Sequence, residues 1–124
     1  MIATNPGVPV ACMGLAFKAN IDDFRESPAL KVALALARQF PDQIKIVEPY
    51  ARNLPNAFEA TGARLIDVDA AIETCPIMIV LVDHDVFRSI PLEERADKRV
   101  LDTRGIWPDQ PPLRSDARLG RRTS

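Results

Sequence analysis

Two cationic side chains in this sequence follow segments that are typical of strands. Lys18 comes directly after Phe17, just beyond the run 8–16, and Arg104 follows the run 99–102. A lysine ammonium reaches a phosphate as a point charge, and an arginine fork holds one through two parallel hydrogen bonds. The Phe17 ring could stack on a ligand ring. These residue types indicate a ligand that carries phosphate.

Each of these side chains also has a purely structural interpretation. Lys18 can be a solvated lysine beside a core phenylalanine, and Arg104 can pair with Asp102. Arg25 lies in the charged loop that follows the first apolar run. It can pair with a neighbouring aspartate, which contributes only about 0–1 kcal/mol at a surface, or it can point at a ligand phosphate. Position alone leaves these alternatives open.

The single histidine, His84, stands between two aspartates at the end of the run 76–82. A histidine at a strand end can act as a base or as a metal ligand, but one histidine makes no metal site by itself. A hydrogen-bonding or helix-capping role is the favoured interpretation. Asp83 and His84 are therefore candidates for the rim of a ligand site, and no metal-ligating set is predicted.

Several signatures of chemistry are absent from the sequence. Gly14-Leu15-Ala16 has one glycine where a dinucleotide-binding loop needs G-x-G-x-x-G. Neither a G-x-x-x-x-G-K-[ST] loop nor a C-x-x-C pair occurs. Cys12 and Cys75 lie in or beside apolar runs, so we expect free, buried thiols. The residues alone predict a ligand-binding α/β module and not an enzyme.

Apolar runs alternate with helix signals along the chain. Ser27-Pro28 opens a helix that Pro41 stops, and Asp67 caps a second helix that runs through Thr74. A short helix is expected around 86–89, whereas 51–60 reads as a loop or a short helix. The expected strands are 8–16, 44–47, 63–66, 76–82 and 99–102.

Such alternation predicts an α/β fold: a Rossmann-like, doubly wound, mostly parallel sheet of five to six strands with helices on both faces. Ligands of these sheets bind beyond the carboxyl ends of the strands, near the point where the strand order reverses. That rule selects the loops 17–26, 83–87 and 103–107.

Length and composition suit one globular domain. We predict a domain over 1–107 and a flexible Pro/Arg-rich tail over 108–124 in this chain of 124 residues. The formal net charge of −1 offers no bulk attraction to nucleic acid. No apolar run approaches the roughly 20 residues that span a bilayer, and the start lacks a signal-peptide pattern. We expect a cytoplasmic protein with no membrane partner.

The segment Gly14-Leu-Ala-Phe-Lys18-Ala-Asn-Ile-Asp22-Asp-Phe-Arg25-Glu-Ser27 closely resembles the opening of the third domain of the UDP-sugar 6-dehydrogenases, whose motif reads roughly G-[LF]-[AT]-[FY]-K-x-x-x-x-D-x-R-E-S. The resemblance continues through Glu48-Pro49, Val80 to His84 and Val100 to Gly105. Only the first few residues and the tail fall outside it.

The resemblance implies a concrete function. These enzymes oxidise the C6 alcohol of a UDP-sugar to a carboxylate in two NAD-linked steps, through a covalent cysteine adduct. By the family pattern Phe17, Lys18 and Arg104 contact the UDP-sugar, and Arg25 reaches the NAD pyrophosphate. An N-terminal domain binds most of the NAD, a middle domain drives homodimer formation, and the catalytic cysteine precedes this segment. We therefore expect the chain alone to be inactive and to bind UDP weakly.

The sugar is indicated by similarity only. Val82-Asp83-His84 is similar to the N-acetylhexosamine branch of this family. Glu48-Pro49 and the entry 11–14 are most similar to the UDP-N-acetyl-D-mannosamine enzymes. UDP-N-acetylglucosamine and then UDP-glucose are the next alternatives. Two other classes remain: a stand-alone nucleotide-binding module without catalysis, and a receiver-like signalling domain. A receiver domain needs a phosphoacceptor aspartate at the end of a central strand and a lysine at the end of a later strand. Here the strand 44–47 is followed by Glu48 and the strand 99–102 by Thr103-Arg104, so the receiver-like class fits poorly.

Overall fold

The sheet has five parallel strands. The computed structural model describes residues 2, 5–16, 20 and 27–111. The order across the sheet is β3-β2-β1-β4-β5, so β1 and β4 meet where the strand order reverses. All residues of these two strands are buried, because the sheet is covered on both faces. The strands are β1 Val10–Met13, β2 Ile44–Val47, β3 Arg64–Leu65, β4 Ile77–Val80 and β5 Arg99–Asp102.

In the part of the chain that the structure describes, three α-helices connect these strands, at Pro28–Gln39 (α1), Val68–Thr74 (α2) and Asp85–Arg88 (α3). The two predicted caps are confirmed. Ser27 Oγ accepts a hydrogen bond from the Leu30 amide at 3.3 Å, and Asp67 Oδ1 accepts one from the Ala70 amide at 2.7 Å. Each cap satisfies one of the free N–H groups of a first helical turn.

The two faces of the sheet have separate cores. On one face, Ala33 and Ala37 of α1 pack with Val10 and Cys12 of β1. On the other face, Ala71 of α2 and Phe87 of α3 pack with the alternate β1 residues Ala11 and Met13. Successive strand side chains point to opposite faces, so one apolar strand supplies both cores. The doubly wound fold with helices on both faces is confirmed.

Some element bounds differ from the predicted ones. The ladders of β1 and β4 are shorter than the apolar runs 8–16 and 76–82, because the last apolar residues of both runs are buried in loops. The ambiguous segment 51–60 is mostly loop with one 3-10 turn at Asn56–Phe58. A second 3-10 turn, Leu92–Glu94, has no counterpart in the predicted elements.

Gly14 brings the ends of β1 and β4 into direct contact. Its φ of +104° lies in a region that favours glycine. A Cβ atom at this position would stand 2.5 Å from the Val82 Cβ. Nearby, the amides of Leu81 and Val82 both donate to the Met13 carbonyl oxygen, at 3.0 and 3.2 Å. The absence of a side chain at Gly14 therefore permits the close approach of the two strand ends.

A buried arginine holds the segment that follows β5. The Arg95 side chain is only 5% exposed and donates to the Ile90 carbonyl, to Asp109 and to Gln110. Its guanidinium lies 4.9 Å from the Trp107 ring centroid, a cation–π distance. Asp109 and Gln110 are thus attached to the domain, three residues beyond the predicted boundary at 107. Residues 112–124 of the predicted tail lie outside the described part of the chain.

The two cysteines are free and buried, as predicted. Burial and, to a smaller extent, the neighbouring Cys75 raise the pKa of the Cys12 thiol to about 12. Burial also raises the pKa of Cys75. Because the thiolate is the reactive form, both thiols are held in the unreactive state at neutral pH. Among the described residues, no helix has the length and apolar character needed to cross a membrane.

Candidate functional site at the carboxyl edge of the sheet

The loops that follow β1, β4 and β5 adjoin, because these strands are neighbours in the sheet. The Asn20 amide donates to His84 Nδ1 at 2.7 Å, and Asn20 Oδ1 accepts from the Asp85 amide at 3.0 Å. Arg104 Nη2 lies 3.9 Å from Asp83 Oδ1. The described parts of the three loops selected from the sequence therefore meet at one edge, beside the switch point.

Asp102 shapes the loop that carries Arg104. Its Oδ1 accepts from the amides of Arg104 and Gly105, at 3.2 and 2.8 Å, and its Oδ2 accepts from the Trp107 amide at 2.8 Å. The sequence leaves open whether Asp102 is the ion-pair partner of Arg104. In the structure the Asp102 carboxylate binds backbone N–H groups, and the ion pair of Arg104 is with Asp83.

The Asp83 carboxylate is shared by two arginines. Arg88 Nη2 approaches it to 3.2 Å and Arg104 Nη2 to 3.9 Å, and both arginine side chains are about half exposed, at 50% and 53%. Exposed pairs of this kind contribute only about 0–1 kcal/mol. Arg104 can therefore leave Asp83 for a phosphate at little cost, while Arg88 remains with the carboxylate.

His84 lies beneath this surface. The sequence places Asp83 and His84 together at a site rim, but only the Asp83 side chain is partly exposed, at 26%, and the His84 side chain is fully buried. Its Nδ1 accepts from the Asn20 amide, which can only donate. The ring proton is therefore on Nε2, from which it is donated to Glu48 Oε1 at 2.9 Å. His84 is a buried hydrogen-bonding residue.

Glu48 is the central acceptor of the edge. Its Oε1 accepts from the amides of Leu15 and Ala16, at 2.8 and 3.1 Å, and its Oε2 accepts from the Tyr50 amide at 3.1 Å. Burial would raise the pKa of this carboxyl, but the hydrogen bonds from His84, Leu15 and Tyr50 outweigh it and hold the pKa below its ordinary value. Sequence reasoning noted Glu48 only as part of an acidic-Pro pair. The available signal was a charged residue directly after the buried strand β2.

The lowered pKa of Glu48 predicts a loss of stability in acid. A carboxyl whose folded pKa lies below its unfolded value of about 4.5 stabilises the fold fully above that pH and loses this contribution as the pH falls through the folded pKa. We expect the free energy of unfolding to fall as the pH drops from about 5 into the acid range. Urea unfolding across this range measures it. Glu48→Gln should flatten the slope, and an unchanged slope in that variant would contradict the assignment.

The match to a known family agrees with this geometry. Residues 11–109 match the model of the UDP-glucose/GDP-mannose dehydrogenase family, UDP binding domain. The chain belongs to this family. The matched region begins at the second residue of β1 and includes β2 to β5, the edge loops and Trp107.

Curated relatives of this UDP binding domain are nucleotide-sugar dehydrogenases by name. The chain is 43% identical over 100 residues to the UDP-N-acetyl-D-mannosamine dehydrogenase of Salmonella typhi. It is 41% identical over 98 residues to the NDP-N-acetyl-D-galactosaminuronic acid dehydrogenase of Ralstonia nicotianae, and 39% identical over 99 residues to the UDP-N-acetyl-D-mannosamine dehydrogenase of Escherichia coli K12. These alignments cover 79–81% of the chain but only 23–24% of the relatives, so the chain spans about a quarter of their length. No solved structure gave a significant match.

The UDP binding domain does not offer a dinucleotide loop in its described residues. In such loops the amides that follow β1 face a pyrophosphate. Here the amides of Leu15 and Ala16 are both bonded to Glu48. The residues at this strand end therefore do not fit the pyrophosphate of NAD. Within the same described ranges, no group of three or more His, Cys, Asp or Glu side chains could hold a metal ion.

The candidate binding residues divide into two sets. Arg104 and Asp83 lie together at the exposed edge. Phe17, Lys18 and Arg25, which the family resemblance assigns to UDP-sugar and NAD, lie outside the described residues. The described neighbours on either side of Phe17 and Lys18 are Ala16 and Asn20, and both are bonded to the Glu48–His84 pair.

Proposed function

We propose that this chain is the UDP-sugar-binding domain of an NAD-dependent UDP-N-acetyl-D-mannosamine 6-dehydrogenase, which oxidises the C6 alcohol of the sugar to a carboxylate. The observation that carries the proposal is the half-exposed Arg104, set by the Asp102 loop at the carboxyl edge beside the switch point. The family match and the names of the relatives in Salmonella and Escherichia support it.

In this proposal the residues of the chain bind and orient the substrate. Arg104 leaves its 3.9 Å pair with Asp83 and holds the UDP diphosphate through its guanidinium fork. Lys18 adds a second positive charge, and Phe17 packs against the UDP-sugar. Arg25 reaches from this domain to the NAD pyrophosphate. No catalytic residue is assigned to this chain, so on its own it binds UDP without turnover.

The cofactor and the remaining partners lie mainly outside this domain. NAD supplies the hydride acceptor for the two oxidation steps, and an N-terminal domain is proposed to hold most of it. A middle domain is proposed to provide the catalytic cysteine segment and the homodimer contact. The product, a uronic acid linked to UDP, suits polysaccharide biosynthesis in the cytoplasm. A G-x-G-x-x-G segment encoded upstream of the matched region would support this arrangement, and an unrelated upstream segment would contradict it.

A second candidate sugar is supported by the Ralstonia relative. Its name refers to an N-acetyl-D-galactosaminuronic acid, and its identity of 41% is close to the 43% of the Salmonella relative. Both names refer to N-acetylated hexosamines. An N-acetylhexosamine linked to a nucleoside diphosphate is thus the substrate class shared by both alternatives.

Titration of the chain with UDP, followed by backbone amide chemical shifts, tests the binding proposal. We expect shifts confined to residues 14–16, 83–87 and 102–106, which form the carboxyl edge. The affinity should be weak, because the rest of the cleft belongs to other domains. Shifts at the opposite edge of the sheet, or none at millimolar UDP, would contradict the proposal that this edge is a UDP site.

Arg104→Ala is expected to weaken UDP binding by about tenfold or more. A hydrogen bond to a charged partner contributes roughly 1.5–3 kcal/mol, and each 1.4 kcal/mol is tenfold in affinity. Arg64→Ala is the matched control, because Arg64 is an exposed arginine on β3 and lies in the amino half of the sheet. Equal dissociation constants for the two variants would refute the role of Arg104.

A further inference from the structure

We infer that Glu48 and His84 form a positioning pair for the UDP site, holding the chain on both sides of Phe17-Lys18-Ala19. The inference rests on the proposed function, since it concerns how the UDP-binding segment is placed. Neither side chain is exposed, so neither contacts a ligand directly. Their effect on binding acts through the backbone groups that they hold.

The amino-terminal side of this segment is held by Glu48. The amides of Leu15 and Ala16 both donate to one oxygen, Oε1, at 2.8 and 3.1 Å. Two successive amides that converge on one atom fix the direction of the chain as it leaves β1. The next residue in the sequence is Phe17.

The carboxyl-terminal side is held by His84. The Asn20 amide donates to Nδ1 at 2.7 Å, and Asn20 Oδ1 accepts from the Asp85 amide at 3.0 Å. The Tyr50 hydroxyl reaches the same Oδ1 at 3.4 Å. Asn20 is thus joined to the loops after both β2 and β4. The residue before it in the sequence is Ala19.

The two sides are coupled through a single hydrogen bond. His84 Nε2 donates to Glu48 Oε1 at 2.9 Å, the same oxygen that receives the Leu15 and Ala16 amides. An anionic acceptor at this point favours the proton on Nε2, which leaves Nδ1 free to accept from Asn20. Glu48 therefore acts on Asn20 through the tautomer of His84.

The network requires a carboxylate at position 48. Both oxygens accept hydrogen bonds, Oε1 from His84 and two amides and Oε2 from the Tyr50 amide. A glutamine has nearly the same shape, but its NH₂ group can only donate. In either orientation of the glutamine side chain, its NH₂ group replaces an acceptor and faces N–H donors. These are the Tyr50 amide on one side, or His84 and the amides of Leu15 and Ala16 on the other. Glu48→Gln is thus a test of hydrogen-bond character at constant volume.

The pair also adjoins the arginine of the proposed site. Asp83 directly precedes His84 and forms the ion pair with Arg104. A shift of His84 would therefore move both the carboxylate beside Arg104 and the Asn20 amide that is bonded to Nδ1. We expect a loss of affinity of about tenfold, the size that follows when one hydrogen bond to a charged group is lost.

The test compares UDP binding by the unmodified chain, Glu48→Gln and Glu93→Gln, with amide chemical shifts as the readout. Glu93 is an exposed glutamate in the 3-10 turn Leu92–Glu94. Glu93→Gln is therefore the matched control, because it makes the same chemical change outside the Glu48–His84 network. We expect a dissociation constant about tenfold higher in Glu48→Gln and an unchanged one in Glu93→Gln. In the absence of UDP, the Asn20 amide and the His84 ring nitrogens should also shift, while the amides of β5 should not.

Several outcomes would overturn the inference. The inference is overturned if Glu48→Gln binds UDP as tightly as the unmodified chain. It is also overturned if the NMR signals of the Asn20 amide and the His84 ring nitrogens are unchanged in that variant. If the unmodified chain itself fails to bind UDP, the proposed function fails instead. If Glu48→Gln does not fold, His84→Phe replaces it in the test, because this variant keeps an aromatic ring at position 84 and removes both ring nitrogens. His84→Phe should weaken UDP binding and shift the Asn20 amide signal, while the amides of Leu15 and Ala16 remain bonded to Glu48. UDP binding equal to that of the unmodified chain would refute the positioning role of His84.

Discussion

Glu48→Ala is expected to lower the free energy of unfolding by about 3–5 kcal/mol, because several donors lose their buried acceptor at once. The substitution leaves the amides of Leu15, Ala16 and Tyr50 and the Nε2–H of His84 without their acceptor. A buried donor without a partner costs roughly 1–3 kcal/mol. Domains of this size have about 5–15 kcal/mol in total, so the loss is a large fraction.

Urea unfolding followed by tryptophan fluorescence measures this effect. Trp107 is the single tryptophan of the chain, it is buried, and its indole donates to the Phe87 carbonyl oxygen at 2.9 Å. It therefore reports the loss of tertiary structure near α3. Glu93→Ala is the control, because Glu93 is an exposed glutamate, and it should change the urea midpoint of unfolding little. If the two variants unfold at the same urea concentration, the Glu48 network does not stabilise the fold.

Gly14→Ala is expected to destabilise the chain by about 2–6 kcal/mol. One part is backbone strain, roughly 1–3 kcal/mol for a residue with a side chain in a sparsely populated region such as φ +104°. The other part is steric. The new Cβ would meet the Val82 Cβ at 2.5 Å and its Cγ2 at 2.6 Å, and overpacking of this kind costs about 1–3 kcal/mol.

Gly7→Ala separates the two contributions. Gly7 also has a positive φ, +81°, but a Cβ there would meet nothing within 4 Å. It should therefore show only the backbone part, about 1–2 kcal/mol. Thermal or urea unfolding of both variants gives the difference. Equal destabilisation would mean that the contact between Gly14 and Val82 relaxes without cost, and that the strand ends are not held close.

The regular elements could be predicted largely because their signals are local. Ser27 and Asp67 are cap residues whose partners lie three positions away, and the structure places both bonds there. The strands Ile44–Val47 and Arg99–Asp102 have the predicted bounds, since polar residues flank them closely. Where apolar residues continue past the ladder, as at Leu15 and Val82, composition could not show that they pack in loops.

The candidate site was only partly predictable, because its contacts join distant parts of the chain. The rule that ligands bind beyond the carboxyl ends of strands selected three loops whose described parts the structure brings together, since it depends only on strand order. The Glu48–His84 bond spans 36 positions, and the Asn20–His84 bond spans 64. The position of Glu48 directly after a buried strand was a local signal, but no local pattern shows which donors such a carboxylate accepts from. The ion pair between Arg104 and Asp83 has the same non-local character.

The shared bonding of Glu48 and His84 also constrains how this lineage can change. A substitution at one position alone leaves either a buried carboxylate without its ring partner or a ring without its acceptor. Such intermediates are less stable than either parent, so the two positions are expected to be exchanged together or not at all. A homologue with a different residue at the end of β2 should therefore carry a compensating residue at the end of β4, and the combination would mark a branch of the family by descent.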